Sequence, residues 1–207
     1  MTRSPILLVG AGGHALACLD VIQANGRFNI KGLIGSAAEV DQQRLAYPII
    51  GSDEDLPRLA RAGANALVCV GQIKSPDLRI GLFEQLRRLG FGLPTIISPT
   101  AWVSPHAKVG AGSIVMHGAI VNADAQIGEN CIINTRALVE HGSRVADHCH
   151  VSTGAILNGD VVVGEGSFIG SGSLIKNGVQ VGRRCIVGMG TSVSRNLADG
   201  ALLKRAG

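Results

Sequence analysis

The stretch Ile127-Gly128-Glu129-Asn130-Cys131-Ile132-Ile133-Asn134-Thr135-Arg136-Ala137-Leu138-Val139-Glu140-His141-Gly142-Ser143-Arg144-Val145 has an aliphatic residue at every sixth place: Ile127, Ile133, Val139 and Val145. Four places after each of the first three stands a small one: Cys131, Ala137 and Ser143. Outward from here the register runs unbroken from Val103 to Val193, sixteen aliphatic positions with no insertion. Glycine often follows the aliphatic, as at Gly110, Gly128, Gly164, Gly170, Gly182 and Gly188. A helix would space its apolar residues by three and four. A period of six predicts a parallel β-helix, three hexads to a triangular coil of 18 residues. The aliphatic points into the prism and the small residue fills the corner beside it. Sixteen hexads predict about five coils, each rising about 4.8 Å, the strand spacing. Cys131, Cys149 and Cys185 fall in the small inward slot, where a thiol serves as a small hydrophobe.

The composition fits such a prism. Of 207 residues 29 are glycine, about twice the usual ~7%, while only 3% are aromatic and 16% charged. The net charge of +4 is mild, and its longest runs are Arg183-Arg184 and Lys204-Arg205. With no aromatic interleaving, that argues against nucleic acid and suits a phosphate-bearing small molecule. No run of ~18 apolar residues predicts a membrane span. The apolar start Ile6-Leu7-Leu8-Val9 is ended by Gly10 and reads as a first β-strand, not a signal peptide. Five cysteines, an odd number with no CxxC pair, fit a reduced, cytoplasmic chain.

Residues 1–97 read as a separate α/β domain, with the β-helix over 98–207. Strands are expected at Pro5–Val9, Phe28–Ile34 and Ala66–Val70. Helices are expected after the glycines of Gly10-Ala11-Gly12-Gly13-His14, after Ser52-Asp53-Glu54-Asp55, and from Ser75-Pro76 to about Gly90. Alternating strands and helices imply a Rossmann-like parallel sheet. Gly10, Gly12 and Ala15 fit GxGxxG/A behind a strand, a loop that brings backbone N–H groups to a phosphate. A dinucleotide site would want an acid near the end of strand two. Gly35-Ser36 stands there, so a redox nicotinamide site is disfavoured.

Gly10-Ala11-Gly12-Gly13-His14, Val70-Gly71, Ser98-Pro99-Thr100-Ala101-Trp102-Val103-Ser104-Pro105 and Ile133-Asn134-Thr135-Arg136-Ala137-Leu138-Val139-Glu140-His141 occur in that order, followed by the hexads. Over nearly its whole length the chain resembles bacterial sugar acetyltransferases of the sialic acid O-acetyltransferase type. Relatives in that family N-acetylate nucleotide-linked 4-amino sugars such as bacillosamine and perosamine precursors. The resemblance implies a left-handed β-helix, a homotrimer with sites between subunits, acetyl-CoA as co-substrate and no metal. It implies that Gly12, Gly13, His14, Ser36 and Gly71 face a sugar nucleotide or free sugar, and that His141 is the catalytic base. His150, Ser171 and the Gly188 turn would line the CoA site. There are three departures. Many members have an acid after the catalytic histidine, where this chain has Gly142. Many have an acid pair at the end of strand two. The family's C-terminal Gly-x-Pro-Ala segment is missing after Val193, which suggests a shortened chain or a trimmed CoA tail site. The sialic-acid-type members also read Glu-His-Gly, which keeps O-acetylation of a free sugar as the alternative; a non-catalytic trimeric partner of a sugar synthase is another.

One coil of 18 residues carries His141 to Gly159. The period therefore stacks a base below a backbone N–H that no side chain obstructs and that can steady an oxyanion. With the usual acid absent at Gly142, another such as Glu140, or water, must orient the ring. His150 is nine residues from His141, half a coil, so a site using both must be shared between subunits. His106 and His117 read as surface or packing residues and His148 as surface. His148-Cys149-His150 alternates across a strand and so does not predict a metal site.

Overall fold

A computed structural model describes residues 3–60 and 63–204 of the chain. Met1 and Thr2, ahead of the apolar start, and Arg205, Ala206 and Gly207 at the close lie outside the described residues. The N-terminal domain is a parallel sheet flanked by helices. Its elements are β1 (Ser4–Val9), α1 (Gly13–Asn25), β2 (Phe28–Ile34), β3 (Gln43–Arg44), β4 (Tyr47–Gly51), α2 (Leu56–Leu59), β5 (Asn65–Val68) and α3 (Asp77–Arg88). The sheet order is β3-β4-β2-β1-β5. The β3–β4 hairpin, absent from the sequence reading, adds a short antiparallel edge, Gln43 against Pro48 and Arg44 against Tyr47. The helix expected after Ser52 is short: a 3-10 turn over Asp53–Asp55 and then the four residues of α2. α1 ends where Gly26 takes the left-handed conformation, φ 72°, and returns its N–H to the Ile22 carbonyl.

The rest is the left-handed parallel β-helix. Strands pair 18 residues apart, as Val121 with Val139 and Val139 with Leu157. The three faces hold seven, six and five strands. The prism extends a strand beyond the sixteen hexads at each end. Ile96–Ile97 pairs with Ile114–Val115, so the boundary expected after residue 97 falls just before Ile96 instead; Ile97 is the next hexad aliphatic below Val103. At the far end Leu197 bridges Val181 and Leu203 pairs with Val187, both at a separation of 16, so the last coil is two residues short. Leu197, four places after Val193 where a small residue would fall, thereby takes an aliphatic position instead. The interior is a column of aliphatics with Cys131, Cys149 and Cys185 fully buried among them.

The outer faces differ, and that positions the site. One, carrying Ile96, Ile114 and Ile132, is buried against Ala15, Cys18, Leu19 and Ile22 of α1 and forms a joint core with the N-terminal domain. We call it the docked face. The second presents Trp102, Ile120, Leu138, Ile156 and Leu174, an apolar column. The third presents Lys108, Gln126, Arg144, Val162 and Gln180, a mostly polar one. Among the described residues no helix is long and apolar enough to cross a membrane.

Candidate active site

The loop from β1 to α1 opens the N-terminal half of the site. Gly10 is held at φ +116° against β5's continuation: a Cβ there would stand 2.7 Å from Val70 Cγ2. Only glycine fits. Gly12 caps α1 without a side chain, and a Cβ added to Gly12 or Gly13 meets nothing within 4 Å. These two are glycine with no demand from the chain's own packing, and both are exposed. The first turn of α1 starts here, where helix N–H groups lack intrahelical partners.

Beside the loop lies a cleft of about 220 Å³ lined by Gly10, Ala11, Gly35, Ser36, Glu39 and Asp53. An acid does reach the end of β2, from Glu39. Its Oε2 accepts the Ser36 N–H at 3.0 Å and the Ser36 hydroxyl at 2.9 Å, and lies 3.1 Å from where a Gly35 Cβ would be. These hydrogen bonds, with Arg44 adding to them, hold the Glu39 carboxyl below its ordinary value. Arg44 Nη2 donates to Glu39 Oε1 at 2.7 Å, and its Nε donates to the Ala11 carbonyl at 2.7 Å. The glycine loop is thus tied to the acid. The sequence signal was Ser36-Ala37-Ala38-Glu39, a capping box.

His14 stands at the joint between the domains. Its Nε2 is buried with no hydrogen-bond partner, its Cβ is 3.6 Å from a Cβ built on Gly71, and its ring centroid is 6.3 Å from that of His150. His150 is placed differently from the expectation that it contacts CoA. Its ring is buried on the docked face, edge-on to Phe168, and both nitrogens are occupied. Nδ1–H donates to the Gln72 carbonyl at 2.7 Å, and Nε2 accepts from Asn134 Nδ2 at 3.0 Å, which sets the tautomer. Burial pushes its pKa down to about 4. His150 is a neutral strut between the domains.

His141 lies elsewhere, at the corner between the apolar and polar faces, exposed to solvent. Its ring covers Gly159 of the next coil: a Cβ there would stand 2.6 Å from Cε1 and 2.9 Å from Nε2. The ring nitrogens bond to no other described residue, and the Gly159 N–H donates to none. Glu140 is not the ring's partner. Its Oε2 accepts Asn122 Nδ2 at 2.9 Å and the backbone N–H of His141 at 3.2 Å, so it braces the turn. A cleft of about 230 Å³ lined by Asn158, Lys176 and Asn177 opens above on the same corner. Ser171 and Gly188 occupy the opposite edge of the apolar face. The exposed Ser171 shares a hydrogen bond with Ser152, 2.9 Å between hydroxyls.

His148 is buried, not on the surface. Its Nδ1 is 3.0 Å from Asn130 Nδ2 and its ring is edge-on to Phe83. Asn130 Oδ1 in turn accepts from the buried Arg79 at 2.7 Å, and Arg79 also donates to the Val68 and Val70 carbonyls. Cys149 points inward between the two histidines, and among the described residues no group of three metal-ligating side chains gathers. His117 links Asp20 Oδ2, 3.0 Å from Nε2, to Ser98 Oγ, 2.6 Å from Nδ1. The order Ser–His–Asp suggests a nucleophile, but Ser98 is 1% exposed and also bound to Thr100, so it clamps the domains.

Residues 5–86 match the PglD N-terminal domain and residues 160–195 the hexapeptide repeat of succinyl-transferase. No curated protein matched. Among solved structures, a mutant of perosamine N-acetyltransferase from Caulobacter crescentus, in complex with CoA and GDP-perosamine, superposes with TM-score 0.90 at 34% identity, over 98% of this chain and 94% of that one. The acetyltransferase domain of PglB from Neisseria gonorrhoeae, in complex with acetyl coenzyme A, gives 0.90 at 30% identity, over 98% and 97%. WeeI from Acinetobacter baumannii, 19% identical over 96% of each chain, shares the fold with TM-score 0.85.

Proposed function

The chain belongs to the sugar acetyltransferases that join a PglD-type N-terminal domain to a hexapeptide-repeat β-helix, an acetyl-CoA-dependent enzyme class, and from that membership we propose that it N-acetylates a nucleotide-linked 4-amino-4,6-dideoxy sugar with His141 as general base. The observation that carries this reading is the His141 ring, unbonded, lying over Gly159, whose N–H donates to no described residue. A thioester oxygen that accepts this N–H would lie close to the His141 ring, with its carbonyl carbon within reach of an amine held at Nε2. The sugar amine attacks the carbonyl carbon and loses a proton to Nε2. The Gly159 N–H donates to the oxyanion. Collapse breaks the C–S bond, and the imidazolium returns the proton to the CoA sulfur. No cysteine lies at this corner, so transfer is direct.

The sugar nucleotide takes the N-terminal cleft, its phosphates at Gly12 and Gly13 and its sugar toward His14 and Gly71. The Glu39 carboxylate beside Ser36 is available to the nucleoside. These groups lie on the docked face of the prism, while His141 lies on the far edge of the apolar face. One chain cannot bring them together; a neighbouring copy can. Trp102, Ile120 and Leu174 of the apolar face are 60, 39 and 43% exposed, a column that suits burial against another subunit in a closed homotrimer. CoA then lies between subunits, with Ser171 and the Gly188 turn of one chain opposite His141 of another.

The test is CoA release from acetyl-CoA with UDP-, GDP- and dTDP-linked 4-amino sugars and with free sialic acid. Release with a nucleotide-linked amine is expected. Release with sialic acid alone would replace N-acetylation by O-acetylation, and release with none would leave a non-catalytic partner.

A further inference from the structure

The acid absent after His141 is replaced from the next coil. We propose that the Asp160 carboxylate is the acidic partner of the His141 base, a positioning residue that does the work a side chain at 142 would do; this rests on the reading of His141 as the base. Gly142 is held in the left-handed region at φ +67°, and a Cβ built on it falls on Asp160 Oδ1. The carboxylate thus occupies the space that an acidic side chain on residue 142 would enter. It is anchored there by its own backbone, since the Asp160 N–H donates to the His141 carbonyl at 3.0 Å. Asp160 follows Gly159, the residue the His141 ring covers, so ring and carboxylate share one exposed corner.

The aspartates at another corner of the prism have a structural occupation. Asp147 Oδ1 accepts the Glu129 N–H and Asp199 Oδ1 the Arg183 N–H, each at 2.7 Å, pinning one coil to the next. The Asp160 carboxylate accepts from no described donor, which leaves it free for the imidazole or for a water bridging to it. The other charged groups around the corner do not compete. Glu140 is spent on Asn122 and the His141 backbone. Asp124 lies one coil below Gly142, on the side away from Asp160, and Lys176 one coil above Asn158. A carboxylate here favours the protonated imidazole that forms as the amine gives up its proton.

The test compares Asp160→Asn, Asp160→Gly and the swap Asp160→Gly with Gly142→Asp, with His141→Ala as reference. Aspartate tolerates the left-handed backbone of residue 142. Glycine suits residue 160, whose φ is +60°. Asp160→Asn and Asp160→Gly are expected to lower kcat about 10-fold, part of the 10²–10⁴ a general base contributes, with both KM values unchanged. Losing the carboxylate makes the imidazole easier to deprotonate, so the acid limb of the kcat/KM profile moves to lower pH. The swap returns kcat and the acid limb toward wild type, which a merely structural role for Asp160 would not allow. If His141→Ala is inactive while both Asp160 variants keep the wild-type profile, or if the swap stays as slow as Asp160→Gly, Asp160 is not the partner and the base stands. If His141→Ala is active, the base assignment itself is wrong.

Discussion

At the scale of single residues, His141 and Gly13 separate chemistry from binding. The unbonded ring of His141 has no packing role visible in the chain, so His141→Ala is expected to lower kcat by roughly 10²–10⁴-fold with little change in KM and an unchanged melting temperature. A kcat near wild type would favour a neutral amine attacking without a protein base. A Cβ at Gly13 meets only open space, so Gly13→Val is expected to leave the fold intact. It should raise the KM for the sugar nucleotide severalfold while the KM for acetyl-CoA holds. Equal loss of both would make the loop structural. Gly142→Asp alone is a poor probe of the missing acid, because its carboxyl would be forced against that of Asp160.

At the scale of elements, the docked strands and α3 hold the domains in register through buried polar groups. Arg79, 1% exposed, binds carbonyls at the end of β5 and Asn130 of the β-helix. Arg79→Ala strands those acceptors and is expected to cost about 2–4 kcal/mol, read as a lower denaturant midpoint. His150 ties the same junction to pH. Its pKa falls from 6.5 to about 4 on folding, because burial opposes the charged ring. The unfolded chain therefore binds the proton first as pH drops. The contribution of His150 is complete above about pH 6.5 and is lost between there and about pH 4, roughly 3 kcal/mol in all. His150→Gln should flatten the stability of the protein across that interval relative to wild type. An unchanged slope between pH 6.5 and 4.5 would mean the ring is hydrated in solution.

At the scale of the whole molecule, one face of the prism is taken by the chain's own N-terminal domain and one is polar. The third exposes Trp102, Ile120 and Leu174, and on the proposed function a neighbouring copy covers it. Trp102→Glu with Leu174→Glu places two carboxylates on that face without touching the interior. The variant is expected to sediment as a monomer with its strand content retained and its activity lost, because the glycine loop and His141 are then never in one site. An active monomer would refute a shared site.

Much of this was legible in the sequence because a β-helix is a local code. Its period of six states which residues point inward, and its 18-residue coil places Gly159 over His141 before any coordinates are seen. The count began at Val103, one hexad too late: Ile97 continues the same register, but its strand was recognised only from its pairing with Val115. The N-terminal strands and helices were legible from apolar runs and caps, except the β3–β4 hairpin, whose short polar edge carries little pattern. What only tertiary structure decided were contacts between segments far apart in the chain. Glu39 fills the place at Gly35 through a capping box, and Asp160 the place at Gly142 through the coil above. His148 and His150, which by sequence were a surface residue and a ligand contact, became buried struts once α3 and the loop after β5 packed on them. Periodicity fixes which way a side chain faces. Whether that direction meets water or another domain depends on docking, which no local pattern encodes.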